Sequence, residues 1–308
     1  MQPDRKTGRA SMNNLHGILL VIASMAFFTL EDMFIKQLSG TLPVGQILIC
    51  LGVGSGLVFA VMARMQGHSL FAPRCWRLRP VLRASTEAVS AMSFASALAL
   101  VDISVVAAVF QATPLVITMG AALFLGEQVG WRRWLAICVG FAGVLLIIRP
   151  GLDSFEPAAL LVVIAVLGVA TRDLMTRVMD SAVPSTVVSF QAFLAVIPAG
   201  LLLLAFTPGE VKAMVQNEYL MMAGGVLFGV LGYYGIVTAT RVGDASAVTP
   251  FRYTRLLFSI LAGILVFGER PDGLTLAGAA LIIGSGLYTF VREQRLARRA
   301  RRAAAAAA

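Results

Sequence analysis

The sequence predicts an all-α membrane protein of ten transmembrane helices, arranged as two inverted five-helix repeats. Three observations predict it. Of 308 residues, 58% are hydrophobic and only 13% are charged, about half the charged fraction of a typical soluble chain. Folding in water would bury only about three-quarters of the surface of a chain this long, so the apolar excess faces lipid. Apolar segments close to the roughly 20 residues that cross a hydrocarbon core recur along the whole chain. Charged and proline positions then repeat at about half its length.

The segments run over 15–36, 44–66, 80–100, 104–125, 131–149, 157–178, 184–206, 219–240, 245–267 and 273–291. The first runs on into a charged end and has no A-x-A-like site after it, so it reads as a retained span and not as a cleaved signal peptide. Turn residues punctuate the links: Gly40 with Pro43, Pro73, Gly130, Pro150-Gly151, Pro184, Pro208-Gly209, Gly243 and Pro271. Links this short join antiparallel neighbours. The segments are apolar all round, which excludes the alternating pattern of a β-barrel.

Orientation follows from Lys and Arg. An even number of spans puts both termini on one side. That side collects Arg5, Lys6, Arg9, Arg64, Arg74, Arg77, Arg79, Arg83, Arg132, Arg133, Arg177, Arg241 and the tail arginines from Arg292 to Arg302. The other side has only Lys36, Arg149, Lys212 and Arg270. Both termini are therefore expected in the cytoplasm of a bacterial inner membrane. The net charge of +9 lies in these short clusters between apolar stretches and not on one basic face, which argues against a nucleic-acid partner. The tail 292–308 reads as basic and cytoplasmic, and its Ala-rich end after Arg302 as unstructured or frayed. Cys50, Cys75 and Cys138 have no CxxC spacing, and His16 and His68 lie far apart near helix ends, so neither a disulfide framework nor a metal site is expected.

The repeat is specific. Asp32-x3-Lys36-x6-Pro43 matches Asp173-x3-Arg177-x6-Pro184, and Asp102 followed by Gly126-Glu127 matches Asp244 followed by Gly268-Glu269. Five spans per half is an odd number, so the second half enters from the opposite side. Residues 15–149 form the first repeat and 150–291 the second, between an N-terminal segment 1–14 and the basic tail. The motifs Phe110-Gln-Ala-Thr-Pro-Leu115 leading to Leu125-Gly-Glu127, and Ala247-Val-Thr-Pro-Phe-Arg-Tyr-Thr-Arg255 leading to Phe267-Gly-Glu-Arg270, resemble the two EamA domains of the drug/metabolite transporter superfamily. Gly140, Gly143, Gly278 and Gly284 extend the likeness, which covers nearly the whole chain. Pro114 has Leu256 as its counterpart, while Pro250 lies earlier, so the two halves need not kink alike.

The resemblance implies ten helices around a central cavity and secondary transport of a small organic metabolite by alternating access. An amino acid, a vitamin such as riboflavin and a nucleotide-like compound all remain open, as do direction, coupling ion and oligomeric state. It implies no cofactor. A lipid-carrier flippase is the nearer alternative. An intramembrane enzyme is the remoter one, since no HExxH or GxSxG motif is present.

Ionisable groups at mid-membrane cost about 2.5–3.5 kcal/mol each or more, so they mark the candidate site. Asp32 and Lys36 stand at i,i+4 and are expected to pair. Glu31 points about 100° away from that pair and is the better functional candidate. In the sixth span Arg172 occupies the Glu31 position with opposite charge, and Asp173–Arg177 repeats the Asp32–Lys36 pair. A Glu31–Arg172 bridge between the halves, serving as gate or brace, is one expectation. Arg252 and Arg255 share a helix face with Tyr253 between them. They read either as a cationic patch for an anionic or zwitterionic substrate or as partners of an internal acid such as Glu87. Glu87 reads either as a structural partner or as a proton-exchanging group. Gln111 and Tyr234 are candidates for lining the cavity.

Overall fold

The computed structural model describes residues 5–152, 155–179, 183–207, 210–242 and 249–307. It is helical: α1 (Arg5–Ser39), α2 (Val44–Met65), α3 (Leu78–Leu100), α4 (Ile103–Phe110), α5 (Thr113–Phe124), α6 (Trp131–Ile148), α7 (Ala159–Arg177), α8 (Ser185–Phe206), α9 (Gln216–Val242), α10 (Thr254–Phe267) and α11 (Gly273–Ala307). The pair α4–α5 forms one crossing. A 3₁₀ turn over Thr249–Tyr253 leads into α10 and forms another. Nine segments among the described residues are long and apolar enough to cross a membrane. The tenth, α3, is as long but carries Arg79, Arg83 and Glu87. Basic residues do not end α11, which continues through the tail to Ala307 as one helix. The expectation of an unstructured tail is thus corrected: its run of alanines and arginines has high helix propensity.

The repeat is visible in local geometry. Pro43 and Pro184 occupy the N-cap positions of α2 and α8 with the same extended backbone. Gly126 and Gly268 both adopt left-handed φ, 69° and 66°. The amide of the following glutamate then bonds six residues back in each half, Glu127 to the Ala121 carbonyl and Glu269 to the Gly263 carbonyl. This is the helix-ending turn that glycine favours. The broken crossings also correspond. The first half breaks at Gln111-Ala112 and the second changes from 3₁₀ to α-helix between Tyr253 and Thr254, equivalent positions although only the first has a proline one turn on. A proline is therefore not what places the break.

In lipid, helices associate through close packing more than through expulsion of water. Here α2 meets α8 and α6 meets α11 at glycine pairs. A Cβ on Gly45 would lie 2.5 Å from the Gly200 carbonyl oxygen, and one on Gly143 would lie 2.6 Å from that of Gly278. Both contacts lie in the half of the bundle away from the termini, here called the far side. The main core occupies the same half and the middle: Leu38, Ile47, Leu98, Ile103, Ile148, Val162 and Ile282 belong to one contiguous cluster. Toward the termini the buried apolar residues among those described separate into three smaller groups. One holds Ala63 and Val187, one Val21 and Ala239, and one Val116 and Val166. The buried apolar core is thus continuous on the far side and subdivided on the near side.

A surface link reinforces the far side. Arg149, at the end of α6, donates to the Asp272 carboxylate, which also accepts the Thr275 amide at 2.9 Å. Hydrogen bonds from Arg149 and then from Thr275 push the Asp272 carboxyl down to about 2 from 3.8. A lowered folded-state pKa adds stability above 3.8 that is lost as pH falls towards 2. Asp272 is half exposed, so water screens the contribution. In melting curves from pH 7 to pH 2, Asp272→Asn is expected to flatten the decline below pH 4. A variant that declines as steeply as the parent would show that the link contributes nothing.

Candidate functional site

The crossing breaks place charged side chains at the centre of the bundle. Arg255, in the first turn of α10, directs Nη2 at both oxygens of Asp32 on α1, at 2.9 and 2.7 Å. Its guanidinium also lies over three rings, Phe28 at 5.3 Å, Phe94 at 5.4 Å and Phe110 at 5.3 Å. Phe28 and Asp32 stand one turn apart on α1, so one helix supplies both a ring and the carboxylate. Phe94 and Phe110 meet edge to face at 4.9 Å and complete the box from α3 and α4. Asp32 is almost fully buried, and a charge removed from water needs a partner and hydrogen bonds. A guanidinium has five donors; here Nε and Nη1 have no protein partner among the described residues.

This geometry differs from the pairing expected within α1. Lys36 turns away from Asp32. Its ammonium donates to the Leu98 and Val101 carbonyls, at 3.3 and 2.7 Å, and lies 3.7 Å from Glu269. The i,i+4 spacing allows a pair but cannot weigh it against a guanidinium from a helix 223 residues away. Glu31 lies against α9, where a Cβ on Gly229 would fall 2.4 Å from Oε1. No described residue bonds its carboxylate.

A second cluster lies nearer the termini, between α3 and α7. Arg172 donates from Nη1 to Glu87, at 2.8 and 3.1 Å, and from Nε to Asp173 at 2.8 Å. Arg83 lies 3.6 Å from Glu87 and donates to Thr176 at 3.2 Å. Its buried Nη1 has no partner among the described residues. The Glu31–Arg172 bridge expected from the repeat is not formed, because Arg172 is taken by acids on α3 and its own helix. Arg255, likewise, pairs with Asp32 and not with Glu87. Arg177 closes α7, but its side chain lies outside the described residues.

Arg252 is exposed, and among the described residues no hydrogen bond or ion pair reaches its side chain; it feels the opposing charges of Asp173 and Arg172. The Gln111 side chain reaches the Arg252 carbonyl at 3.5 Å and ties the two broken crossings together. Tyr253 faces α11, where its hydroxyl fills the space beside Gly286, so it packs a helix pair. Tyr234 shares an exposed stripe of α9 with Leu220, Leu227 and Leu231, which is a lipid face. Its neighbour Tyr233 turns inward against Phe59 and Phe193.

Sequence reasoning missed the three rings around Arg255 and the role of Glu269. The Phe28-x3-Asp32 spacing was the one available signal for the rings. Glu269 accepts the Ile103 amide at 2.7 Å, the Ser104 amide at 3.1 Å and the Ser104 hydroxyl at 2.7 Å. It thereby caps α4 from the second half of the chain, and Gly263 leaves it room. Among the described residues no group of His, Cys, Asp and Glu could hold a metal ion.

Comparison with known proteins agrees with this arrangement. The model of the EamA-like transporter family matches residues 15–149 and again 156–291. The chain is 36% identical over 195 residues to a riboflavin transporter of Vibrio cholerae, a match covering 63% of this chain and 64% of that protein. It is 25% identical to an S-adenosylmethionine uptake transporter of Rickettsia prowazekii over 91% of this chain and 94% of that one. A solved crystal structure superposes with a TM-score of 0.63 at 20% identity, covering 93% of this chain and 99% of the other, and so shares the fold. Two matched domains, the repeated glycine–glutamate turns and the paired broken crossings lead to one conclusion: the chain belongs to the EamA-like transporter family.

Proposed function

We propose that the protein is a secondary transporter that carries a small organic metabolite across a bacterial inner membrane by alternating access, without changing it chemically. The observation that carries this reading is Arg255, held in the bundle interior by Asp32 inside a box of three phenylalanines, with Nε and Nη1 still free for a ligand. Charge buried at this depth is costly and is retained where it serves binding or movement. Flat rings stack on phenylalanine, and the free donors of Arg255 and the unpaired Arg252 suit carbonyl, carboxylate or phosphate oxygens. We infer a substrate with a planar heteroaromatic ring and an anionic or zwitterionic group. The names of the relatives support the ring, since a flavin and an adenine nucleoside both carry one.

The bias of Lys and Arg supports a cytoplasmic position for both termini, and so for the near side. On that reading residues 15–149 and 150–291 are the halves that exchange roles, and the continuous far-side core is the packing that must part when the site opens outward. Coupling to protons falls to Glu31 and not to Glu87. Glu87 is committed to Arg172 and Arg83, whereas Glu31 is free of such partners and adjoins the Asp32–Arg255 pair.

Thermal stabilisation of detergent-purified protein by riboflavin, S-adenosylmethionine, nucleotides and amino acids tests the reading, since a ligand at free concentration L that binds only the folded state stabilises it by RT ln(1 + L/Kd). Stabilisation by a heteroaromatic compound is expected, weakened in Arg252→Ala. Labelled ligand should then accumulate unchanged in proteoliposomes, faster with an imposed pH gradient. Ligand recovered in altered form would defeat the transporter reading. Uptake indifferent to pH in parent and Glu31→Gln alike would remove the proton.

A further inference from the structure

The start of α6 and the part of α11 that runs on towards the tail enclose a groove of about 660 Å³. Its walls combine Arg132, Arg292 and Arg295 with Leu287, Tyr288 and Leu296. The two helices pack tightly farther up, where Gly143 meets Gly278, and part where Gly284 leaves open space. None of the three arginines has an ion pair among the described residues. Arg132 lies only over the Trp131 ring, at 5.3 Å, and Arg292 passes beside Gly130. No side chain caps the first turn of α6, so its amides and dipole add to the positive field. Trp131 is 70% exposed and Tyr288 49%, the placement of aromatic residues at the level of lipid headgroups. The site is thus cationic at one end, apolar along its length, and open to the bilayer.

We propose that this groove binds an anionic phospholipid, with its phosphate held by Arg132, Arg292 and Arg295 and its acyl chains lying along Leu287 and Leu296. The charge pattern chooses the occupant. Three unpaired arginines favour an anionic headgroup over a zwitterionic one, and the apolar wall excludes a purely soluble anion.

Native mass spectrometry of the full-length protein with phosphatidylglycerol and phosphatidylcholine of matched chains tests this. Phosphatidylglycerol is expected to bind at least tenfold better. Each arginine near a charged headgroup contributes about fivefold, so Arg132→Gln/Arg295→Gln should weaken it about 25-fold. Glutamine at Arg298, Arg299, Arg301 and Arg302 should leave most of the binding. Equal binding of the two lipids overturns the proposal, as does preference that survives the double variant or vanishes with the tail arginines. Inorganic phosphate in phosphatidylcholine micelles should not raise the melting temperature; a rise equal to that from phosphatidylglycerol would assign the site to a free anion and overturn the lipid. If the double variant fails to fold, Arg295→Gln alone, on the helix surface, should still show the fivefold loss.

Discussion

Arg255→Ala is expected to abolish transport and also to destabilise the folded protein by about 3–5 kcal/mol, because it leaves the Asp32 carboxylate buried without its partner. The ion pair makes the single variant ambiguous, since loss of uptake and loss of folding arrive together. Asp32→Asn/Arg255→Met separates them. It removes both charges at similar volume, and replacing a buried pair by uncharged groups is often neutral or stabilising. The double variant is expected to recover most of the melting temperature while uptake in proteoliposomes stays at background. Uptake near the parental rate in that variant would reduce Asp32 and Arg255 to a brace. The rings give an independent check: Phe94→Ala should weaken binding of a flat ligand while the ion pair stays intact.

Glu269→Ala is expected to loosen the far-side closure. The carboxylate accepts two amides and a hydroxyl at the start of α4 and lies close to Lys36. Hydrogen bonds to a charged group are worth about 1.5–3 kcal/mol each, and each 1.4 kcal/mol is tenfold in a population. Even the loss of one such bond raises the far-side-open population about tenfold or more. The probe is Val101→Cys, buried beside the Lys36 ammonium, after Cys50, Cys75 and Cys138 are replaced. Labelling by an impermeant maleimide should be slow in the parent and at least tenfold faster with Glu269→Ala. Unchanged labelling would show that the glycine contacts hold this side shut without help from Glu269.

Much of the fold was legible in the sequence because its signals are local. The length of an apolar run decides whether it can span, the bias of Lys and Arg suggests which end faces which side, and Gly126-Glu127 recurring as Gly268-Glu269 marks the repeat and its turn. The candidate site was legible only as a set of residues. Asp32, Arg255, Glu87 and Arg172 stood out because charge inside a bilayer has to be compensated. Their partners did not, since i,i+4 spacing ranks Lys36 above Arg255 for Asp32 and symmetry ranks Glu31 above Glu87 for Arg172. Tyr234 and Tyr233 are indistinguishable in sequence; the rotation of α9 sends one to lipid and the other into the core.

The sequence by itself determined the membrane setting, the crossings, the twofold repeat and the identity of the buried charges, all properties of a segment and its immediate neighbours. Tertiary structure alone decided which charges pair, which rings enclose Arg255, that Glu269 caps a helix of the other half, and that the continuous core lies on the far side. Those outcomes depend on how each helix is rotated and how closely it approaches its partner. Contacts such as Gly45 with Gly200 and Gly143 with Gly278 set both across more than a hundred residues of chain, a distance at which spacing along the sequence carries no geometry.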